Sequence, residues 1–504
     1  MIAIIDFGSQ YTQLIARRVR EAHVYCEVLP YWTKPSELEF VDGIILSGSP
    51  KTLSKGRDNM PIPDDEIFTL GKPVLGFCYG MQLVANRFGG AIAKGAKAEF
   101  GHTQVNAVTD SPLFSGIPES SVVWMSHGDH VSVAPKDFEI IVSSESCEIA
   151  GIQNLDKKVF GLQFHPEVSH TQHGQRIIEN FLFDVCHVKP TWRMSAFIES
   201  EIQRALETIG DDHVIAGVSG GVDSVVMAVL LHKALGKRLH TFFIDHGLLR
   251  MNEREEVEAA LHNLGLEPMV INASKTFLSE LEGTTDPEEK RLTIGKLFVR
   301  EFEKAIKQFP EAKWLAQGTL YPDVIESSGG VSGLADKIKS HHNVGGLPKD
   351  MKLTPYEPLK TLFKDEVRHL GRELGVPKHL VDRQPFPGPG LAIRIIGEIT
   401  PKRLDVLRRV DKIVREEIDS KLASQYFAVL LPISSVGVQG DERSYQSVVA
   451  VRAVTTTDFM TASWAKLPYE KLDRIATRIT GEVREVGRVV YDISNKPPGT
   501  IEWE

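Results

Sequence analysis

Two short stretches of this 504-residue chain carry residue types from which a cysteine-centred acyl transfer can be built. Gly76-Phe77-Cys78-Tyr79-Gly80-Met81-Gln82 places a cysteine between glycines at the spacing of a nucleophile elbow. At such a turn the sulfur is exposed, the glycines tolerate a crowded backbone, and the N–H that follows the cysteine can point at an oxyanion. Phe160-Gly161-Leu162-Gln163-Phe164-His165-Pro166-Glu167 is an apolar run that ends in a base and a carboxylate, and Pro166 biases His165 toward an extended conformation. Side chains two apart on an extended chain share a face. Glu167 can therefore orient His165 and stabilise its imidazolium while His165 deprotonates Cys78. Read singly, each half has a plainer meaning: an inert core cysteine and a surface ion pair.

A third stretch, Val218-Ser219-Gly220-Gly221-Val222-Asp223-Ser224, has the makings of a phosphate cradle. Val214–Val218 reads as a buried strand and Val225–Leu235 as a helix ended by Gly236. The loop thus lies where backbone N–H groups and a helix dipole favour an anion. Gly-x-x-x-x-Gly-Lys-Ser/Thr occurs nowhere in the chain, and Asp223 stands where a P-loop would carry lysine. A carboxylate beside a polyphosphate repels it unless Mg²⁺ lies between them, so Asp223 implies a metal-bound nucleotide. The competing explanation, that Asp223 merely complements a helix N-terminus, leaves the serines and paired glycines unexplained. Lys364 and Arg368, one helical turn apart, can present two cations to phosphates or simply be solvated.

These stretches need strand ends to hold them. Ile2–Ile5, Gly43–Leu46 and Pro73–Phe77 read as strands around the helix 10–19, an α/β arrangement in which function gathers at strand ends. The run 186–192 breaks the periodicity before the helix Ser195–Thr208, which puts a boundary near Thr191. A second α/β domain follows, with strands 214–218, 239–244, 269–271 and 314–316. Gln384-Pro385-Phe386-Pro387-Gly388-Pro389-Gly390 can continue neither a helix nor a central strand and reads as a rigid connector. Beyond it, helices 403–418 and 469–483 with strands 426–431, 447–454 and 488–493 make a small α+β unit. The expected domains are 1–191, 192–384 and 385–504, in line with about 150 residues each.

Composition narrows the classes. A net charge of -9 gives no general attraction to nucleic acid or to anionic membranes. Four cysteines (Cys26, Cys78, Cys147, Cys186) without a CxxC pair fit a reducing compartment better than a disulfide framework or a zinc site. Met1-Ile2-Ala3-Ile4-Ile5-Asp6 runs straight into a strand, and no run of about 18 apolar residues occurs, so neither export nor membrane spanning is expected and the location expected is cytoplasmic.

Gly-x-Cys-x-Gly-x-Gln followed by His-Pro-Glu resembles the class I glutamine amidotransferases over nearly all of the first segment. The resemblance implies that Cys78 attacks the side-chain amide of glutamine, that His165 protonates the departing ammonia, and that water hydrolyses the thioester. It places the oxyanion donors at the backbone N–H groups of Tyr79 and of Gly48 in Ser47-Gly48-Ser49-Pro50. Trp124-Met125-Ser126-His127-Gly128-Asp129 also looks like a family loop near the site, and His127 is the rival base; only His165 has the Pro-Glu partner. Ser-Gly-Gly-Val-Asp-Ser resembles the loop of the N-type ATP pyrophosphatases, which cleave ATP between its α and β phosphates and leave an adenylated acceptor. That likeness implies that Ser219, Gly220, Gly221, Val222, Asp223, Ser224 and Val225 hold pyrophosphate and Mg²⁺.

Phe243–Arg250, Ala316–Asp323, Ile338–Asn343 and Phe363–Arg368 are similar, in order and spacing, to synthetases in which these two domains are fused. The similarity implies glutamine, ATP and xanthosine monophosphate (XMP) as substrates and Lys364 as an ATP-phosphate ligand. It makes Arg291 a contact of the acceptor nucleotide, with Lys496 and Thr500 at its phosphate and Glu502 at its ribose or base. It also implies a homodimer formed through the last segment. Gly329–Leu334 reads as a lid that keeps water from the adenylated intermediate, or as an ordinary surface loop. An NAD synthetase-like enzyme with another acceptor and a nucleotide-binding regulator without turnover are the competing readings. The segment 496–504 weighs against the first, and Cys78, His165, Glu167 and Asp223 against the second.

Overall fold

The computed structural model describes residues 1–55, 60–327, 353–439, 442–456 and 461–504. The stretches 329–334 and 338–343, the first of them the expected lid, lie outside the described residues. The chain divides into two compact units, Met1–Phe197 with the described part of Leu320–His342, and Ile198–Thr319 with the described part of Asn343–Glu504.

The first unit is built on nine strands: β1 (Ile2–Asp6), β2 (Cys26–Pro30), β3 (Gly43–Leu46), β4 (Val74–Phe77), β5 (Ala91–Ala107), β6 (Ser120–Val133), β7 (Glu139–Ser144), β8 (Gly151–Asn154) and β9 (Val159–Leu162). Their order is β2-β1-β3-β4-β9-β8-β7-β5-β6. The β2-β1-β3-β4-β9 half is parallel and the rest antiparallel. Parallel strands are covered on both faces, which is why β1, β3 and β4 are buried at every position and read as unbroken apolar runs. The helices 12–21 and 79–87 lie close to the expected pattern. The long β5–β6 hairpin departs from it. Trp124–Asp129, read as a loop, lies inside β6, where buried and partly exposed residues alternate because one face of this antiparallel ribbon meets solvent.

In the second unit β10 (His213–Gly217), β11 (Leu239–Asp245), β12 (Met269–Asn272), β13 (Ala312–Ala316) and β14 (Thr354–Tyr356) form an all-parallel sheet in the order β12-β11-β10-β13-β14. The chain runs outward from β10 through β11 to β12 and then returns to β10's other side. The C-terminal ends of β10 and β13 therefore flank a topological switch point, the usual ligand crevice of such sheets. A second sheet pairs β15 (Gln425–Gln439), β16 (Glu442–Thr455) and β17 (Ser463–Trp464) antiparallel and adds β18 (Val486–Asp492) parallel to β16. The helices 401–417 and 469–482 cover it. The stretch read as a connector is well packed. Phe386 lies 4.2 Å under the Arg250 guanidinium, and a Cβ on Gly390 (φ +65°) would stand 2.5 Å from the Leu248 carbonyl oxygen. One apolar core, from Leu248 through Leu391 and Leu407 to Val486, continues across that stretch.

Candidate active sites

In the first unit the strand-to-helix turn after β4 forms around Cys78, whose φ of 52° lies in the left-handed region that a non-glycine residue occupies only when its surroundings hold it there. Two glycines make the turn sterically possible. A Cβ on Gly76 would lie 2.4 Å from the Gly80 carbonyl carbon, and one on Gly80 would lie 2.4 Å from the Leu46 carbonyl oxygen. The Cys78 N–H is tied to the Leu162 carbonyl at 2.7 Å, which joins the elbow to β9, the strand that leads to His165.

His165 and Glu167 meet as their spacing predicts, with Nδ1 2.7 Å from Oε1 and both side chains buried. A carboxylate accepts, so Nδ1 carries the proton, while the Cys78 thiol donates to the Ser126 carbonyl at 3.7 Å. Burial acts to lower the His165 pKa. The Glu167 carboxylate, with the Cys78 sulfur nearby, outweighs it and holds the imidazole well above its ordinary value. Thr171 Oγ1 donates to the His165 carbonyl at 2.6 Å, Arg18 Nε to the Glu167 carbonyl at 3.0 Å, and the Tyr11 ring meets the imidazole edge-on at 5.0 Å. Arg18 and Tyr11 come from a distant segment that no spacing links to the site, whereas Thr171 follows His165 by six residues. Gln163 Nε2, at 3.6 Å from the Cys78 sulfur, lies just inside the recognised run.

His127 has another partner. It faces Glu99 across the β5–β6 ladder, Nε2 to Oε2 at 3.1 Å, and burial lowers its pKa against the pull of that carboxylate. Gly48 lies beside the imidazole, since a Cβ there would stand 3.3 Å from His165 Cε1, and Tyr79 opens the helix 79–87. Cysteine, base and orienting carboxylate, with backbone at hand for an oxyanion, suit nucleophilic attack on a carbonyl carbon.

In the second unit the loop 218–221 joins β10 to the helix Val222–Leu235. That helix begins three residues earlier than its apolar pattern suggests, so Val222, Asp223 and Ser224 form its first turn and Gly221 its N-cap. Gly220 has φ +77°, and a Cβ on it would overlap Val257 at 2.6 Å. The two serines brace the turn: Ser224 Oγ accepts from the Ser219 N–H at 3.1 Å and donates to the Gly221 carbonyl at 3.0 Å, while Ser219 Oγ accepts from the Gly221 N–H at 3.3 Å. Gly318, past the end of β13, comes within 3.6 Å of Asp223 if given a Cβ, so both lips of the crevice meet there.

Lys364, at the start of the helix 364–373, forms an ion pair with Asp223 Oδ2. Oδ1 of the same carboxylate is buried with no hydrogen-bond partner, as is Arg368 Nε one turn beyond Lys364. The unsatisfied Asp223 carboxylate oxygen fits an oxygen-seeking divalent cation such as Mg²⁺. Arg383 Nη1 donates to the Gly220 carbonyl at 3.2 Å and its guanidinium pairs with Glu253; sequence reasoning missed it, since it stands in the irregular stretch before the prolines.

The last segment docks on the same unit through buried cations. Glu502 receives Arg394 Nε and Nη2 at 3.0 and 2.8 Å and Gln425 Nε2 at 3.1 Å. Glu504 Oε2 receives Lys290 Nζ at 2.6 Å, and the Glu504 carbonyl receives Arg291. Arg452 donates to the carbonyls of Ser494 and Thr500 at 2.6 and 3.0 Å. Lys290, Arg394 and Arg452 are fully buried. Of the residues expected at the acceptor, Arg291, Thr500 and Glu502 thus share one neighbourhood, with the Thr500 hydroxyl donating to the Glu502 carbonyl. Lys496 is held by a two-way backbone pairing with Ala462. A signal for the buried cations was present, an arginine inside Val448–Val454 and another inside Leu391–Ile396, where charge interrupts an apolar run.

Comparison with known proteins finds the profile "Glutamine amidotransferase class-I" over residues 3–185, "NAD synthase" over 194–307 and "GMP synthase C terminal domain" over 411–503. The chain is 51% identical over 509 residues to a glutamine-hydrolysing GMP synthase of Aquifex aeolicus, covering 100% of this chain and 99% of that one. It is 51% identical to the protein of that name from Caldicellulosiruptor saccharolyticus, over 512 residues, and 49% identical to one from Clostridium botulinum, over 512 residues. In both cases the match again spans 100% of this chain and 99% of the relative.

Proposed function

Because the chain belongs to the glutamine-hydrolysing GMP synthases, we propose that its two candidate sites divide that family's reaction between them. The enzyme is a carbon–nitrogen ligase that joins XMP, ATP, glutamine and water to give GMP, AMP, pyrophosphate and glutamate. In our reading Cys78 attacks the glutamine amide carbon, His165 protonates the leaving ammonia, and the backbone N–H groups of Gly48 and Tyr79 stabilise the oxyanion before water hydrolyses the thioester. The observation that carries this assignment is the buried Cys78–His165–Glu167 chain at a left-handed elbow.

The Ser219–Val225 loop and Lys364 grip the phosphates of ATP. Asp223 would hold Mg²⁺, which when bound would supply charge neutralisation there. Ammonia then displaces AMP from adenylated XMP, a step that needs activation because a carbonyl oxygen leaves poorly. Arg291, Lys496, Thr500 and Glu502 receive XMP, and Arg394 and Gln425 fix the Glu502 carboxylate in advance of the ligand. Residues 1–191, 192–384 and 385–504 serve as glutaminase, ATP pyrophosphatase and XMP-binding, dimer-forming segments. Val436 and Tyr445, exposed partners across the β15–β16 ladder, favour a homodimer. No helix among the described residues is long and apolar enough to cross a membrane, and we place the enzyme in the cytoplasm.

The acceptor is tested by incubating the protein with glutamine and Mg·ATP plus either XMP or deamido-NAD. AMP and an aminated product should form with XMP alone; amination of deamido-NAD instead would overturn the assignment. Glu167→Gln tests the glutaminase chain. Glu167 raises the His165 pKa, so without its charge the imidazolium loses its proton at lower pH. Glutamate release should fall by about 10²-fold or more, with the alkaline limb of its pH profile moved toward acid. An unmoved limb would show that Glu167 does not act through His165.

A further inference from the structure

At the N-terminal end of the β12-β11-β10-β13-β14 sheet, opposite the phosphate loop, three side chains from adjacent strands converge. His213 is the first residue of β10, His240 the second of β11, and Glu311 precedes β13. His213 Nδ1 lies 2.8 Å from His240 Nε2, and Glu311 Oε1 lies 3.4 Å from His240 Nε2 and 4.0 Å from His213 Nδ1. We propose that His213, His240 and Glu311 form a second metal site, one that binds a divalent d-block cation, with Zn²⁺ the best match.

The donor set is the argument. Two imidazoles and one carboxylate suit Zn²⁺ and its neighbours, whereas Mg²⁺ prefers oxygen alone. With Zn–N and Zn–O bonds of about 2.0–2.1 Å, tetrahedral geometry puts two ligand atoms about 3.3–3.4 Å apart. The three observed separations bracket that value, and turning each imidazole about 35° off the N···N line while the two nitrogens part would complete the site. The two imidazoles meet edge to edge, His213 Nδ1 and His240 Nε2 sharing a hydrogen bond at 2.8 Å with centroids 5.1 Å apart and 14° between the planes, and Phe309 stacks on His240 at 4.5 Å and 27°. Both imidazoles bind as neutral rings through the nitrogens that now face each other, their protons on His213 Nε2 and His240 Nδ1. Glu311 is half exposed and His213 partly so, which leaves a path for the ion and room for a water as fourth ligand. The ion would clip together the starts of β11, β10 and β13, the three strands whose other ends carry or flank the nucleotide crevice. Its role is structural, because none of the described residues placed at the two candidate sites lies at this end of the sheet.

The test uses the full-length Cys78→Ala protein, so that the thiol does not compete for metal. Equilibrium dialysis against Zn²⁺ should give one tightly bound ion, and the melting temperature should rise with Zn²⁺ concentration. Glu311→Gln, a change at an exposed side chain that the fold tolerates, should weaken binding by about tenfold or more. His213→Asn with His240→Asn should remove the bound ion and the thermal shift, while ammonia-driven amination without added Zn²⁺ stays near the parent rate. Absence of binding in the parent protein, or binding and thermal shift unchanged by both variants, would overturn the site.

Discussion

Cys78→Ala should abolish glutamine-driven GMP formation, a loss on the order of 10⁴-fold or more, and leave ammonia-driven formation at the parent rate. The nucleophile has no substitute in this chain. Burial pushes the Cys147 thiol up to about 12 and raises Cys186 further, while Cys26 is fully buried. Neither raised thiol offers an appreciable thiolate near neutral pH. The variant should also fold, since it removes one sulfur from a side chain 6% exposed and keeps both flanking glycines. The measurement is GMP produced from XMP and Mg·ATP with glutamine or with an ammonium salt. Equal loss with both nitrogen sources would sink the division of labour between two sites.

Asp223→Ala should have the opposite signature, losing synthesis from either nitrogen source on the order of 10³-fold while glutamate release at Cys78 persists. Two roles for Asp223 predict different magnitudes. As a mere complement to the dipole of the helix 222–235 it contributes about 0.3–1 kcal/mol, too little to unfold a core of this size. As the carboxylate that pairs with Lys364 and offers Oδ1 to a cation, it removes the electrostatic support of the phosphates when it is lost. Pyrophosphate release with XMP and Mg·ATP separates the two. Near-normal synthesis by the variant would leave only the dipole role.

What was legible in the sequence follows from where the governing interactions are local. The parallel strands could be read because burial on both faces makes Ile2–Ile5 or Val214–Ala216 unbroken apolar runs. The elbow could be read because Gly76, Cys78 and Gly80 are bound by one turn's sterics, and His165–Glu167 because alternation along an extended chain brings them together. The β5–β6 hairpin was not legible. Lys94, Gly101 and the exposed Phe100 break the alternation of a ribbon stabilised by cross-strand pairing more than by burial. Arg18 and Arg383 were also out of reach, since their partners lie on separate segments and no spacing encodes such a meeting. The helix start at Val222 shows a subtler limit. Its first turn is polar because it serves the loop, so hydrophobic periodicity dates the helix three residues too late.

The crowding around Gly76 and Gly80 also bears on how such a protein can change over generations. Both glycines press against main-chain atoms, which no neighbouring substitution can trim away. Replacing either therefore strains the junction of sheet and helix whether or not glutamine is ever hydrolysed. Cys78 carries no such obligation, because its sulfur makes only weak contacts, with the Ser126 carbonyl at 3.7 Å and Gln163 Nε2 at 3.6 Å. A lineage released from the need to hydrolyse glutamine would then discard the cysteine first and keep the glycines. Among descendants of this chain, a Gly-x-x-x-Gly turn without its central thiol would be the lasting trace of a retired glutaminase.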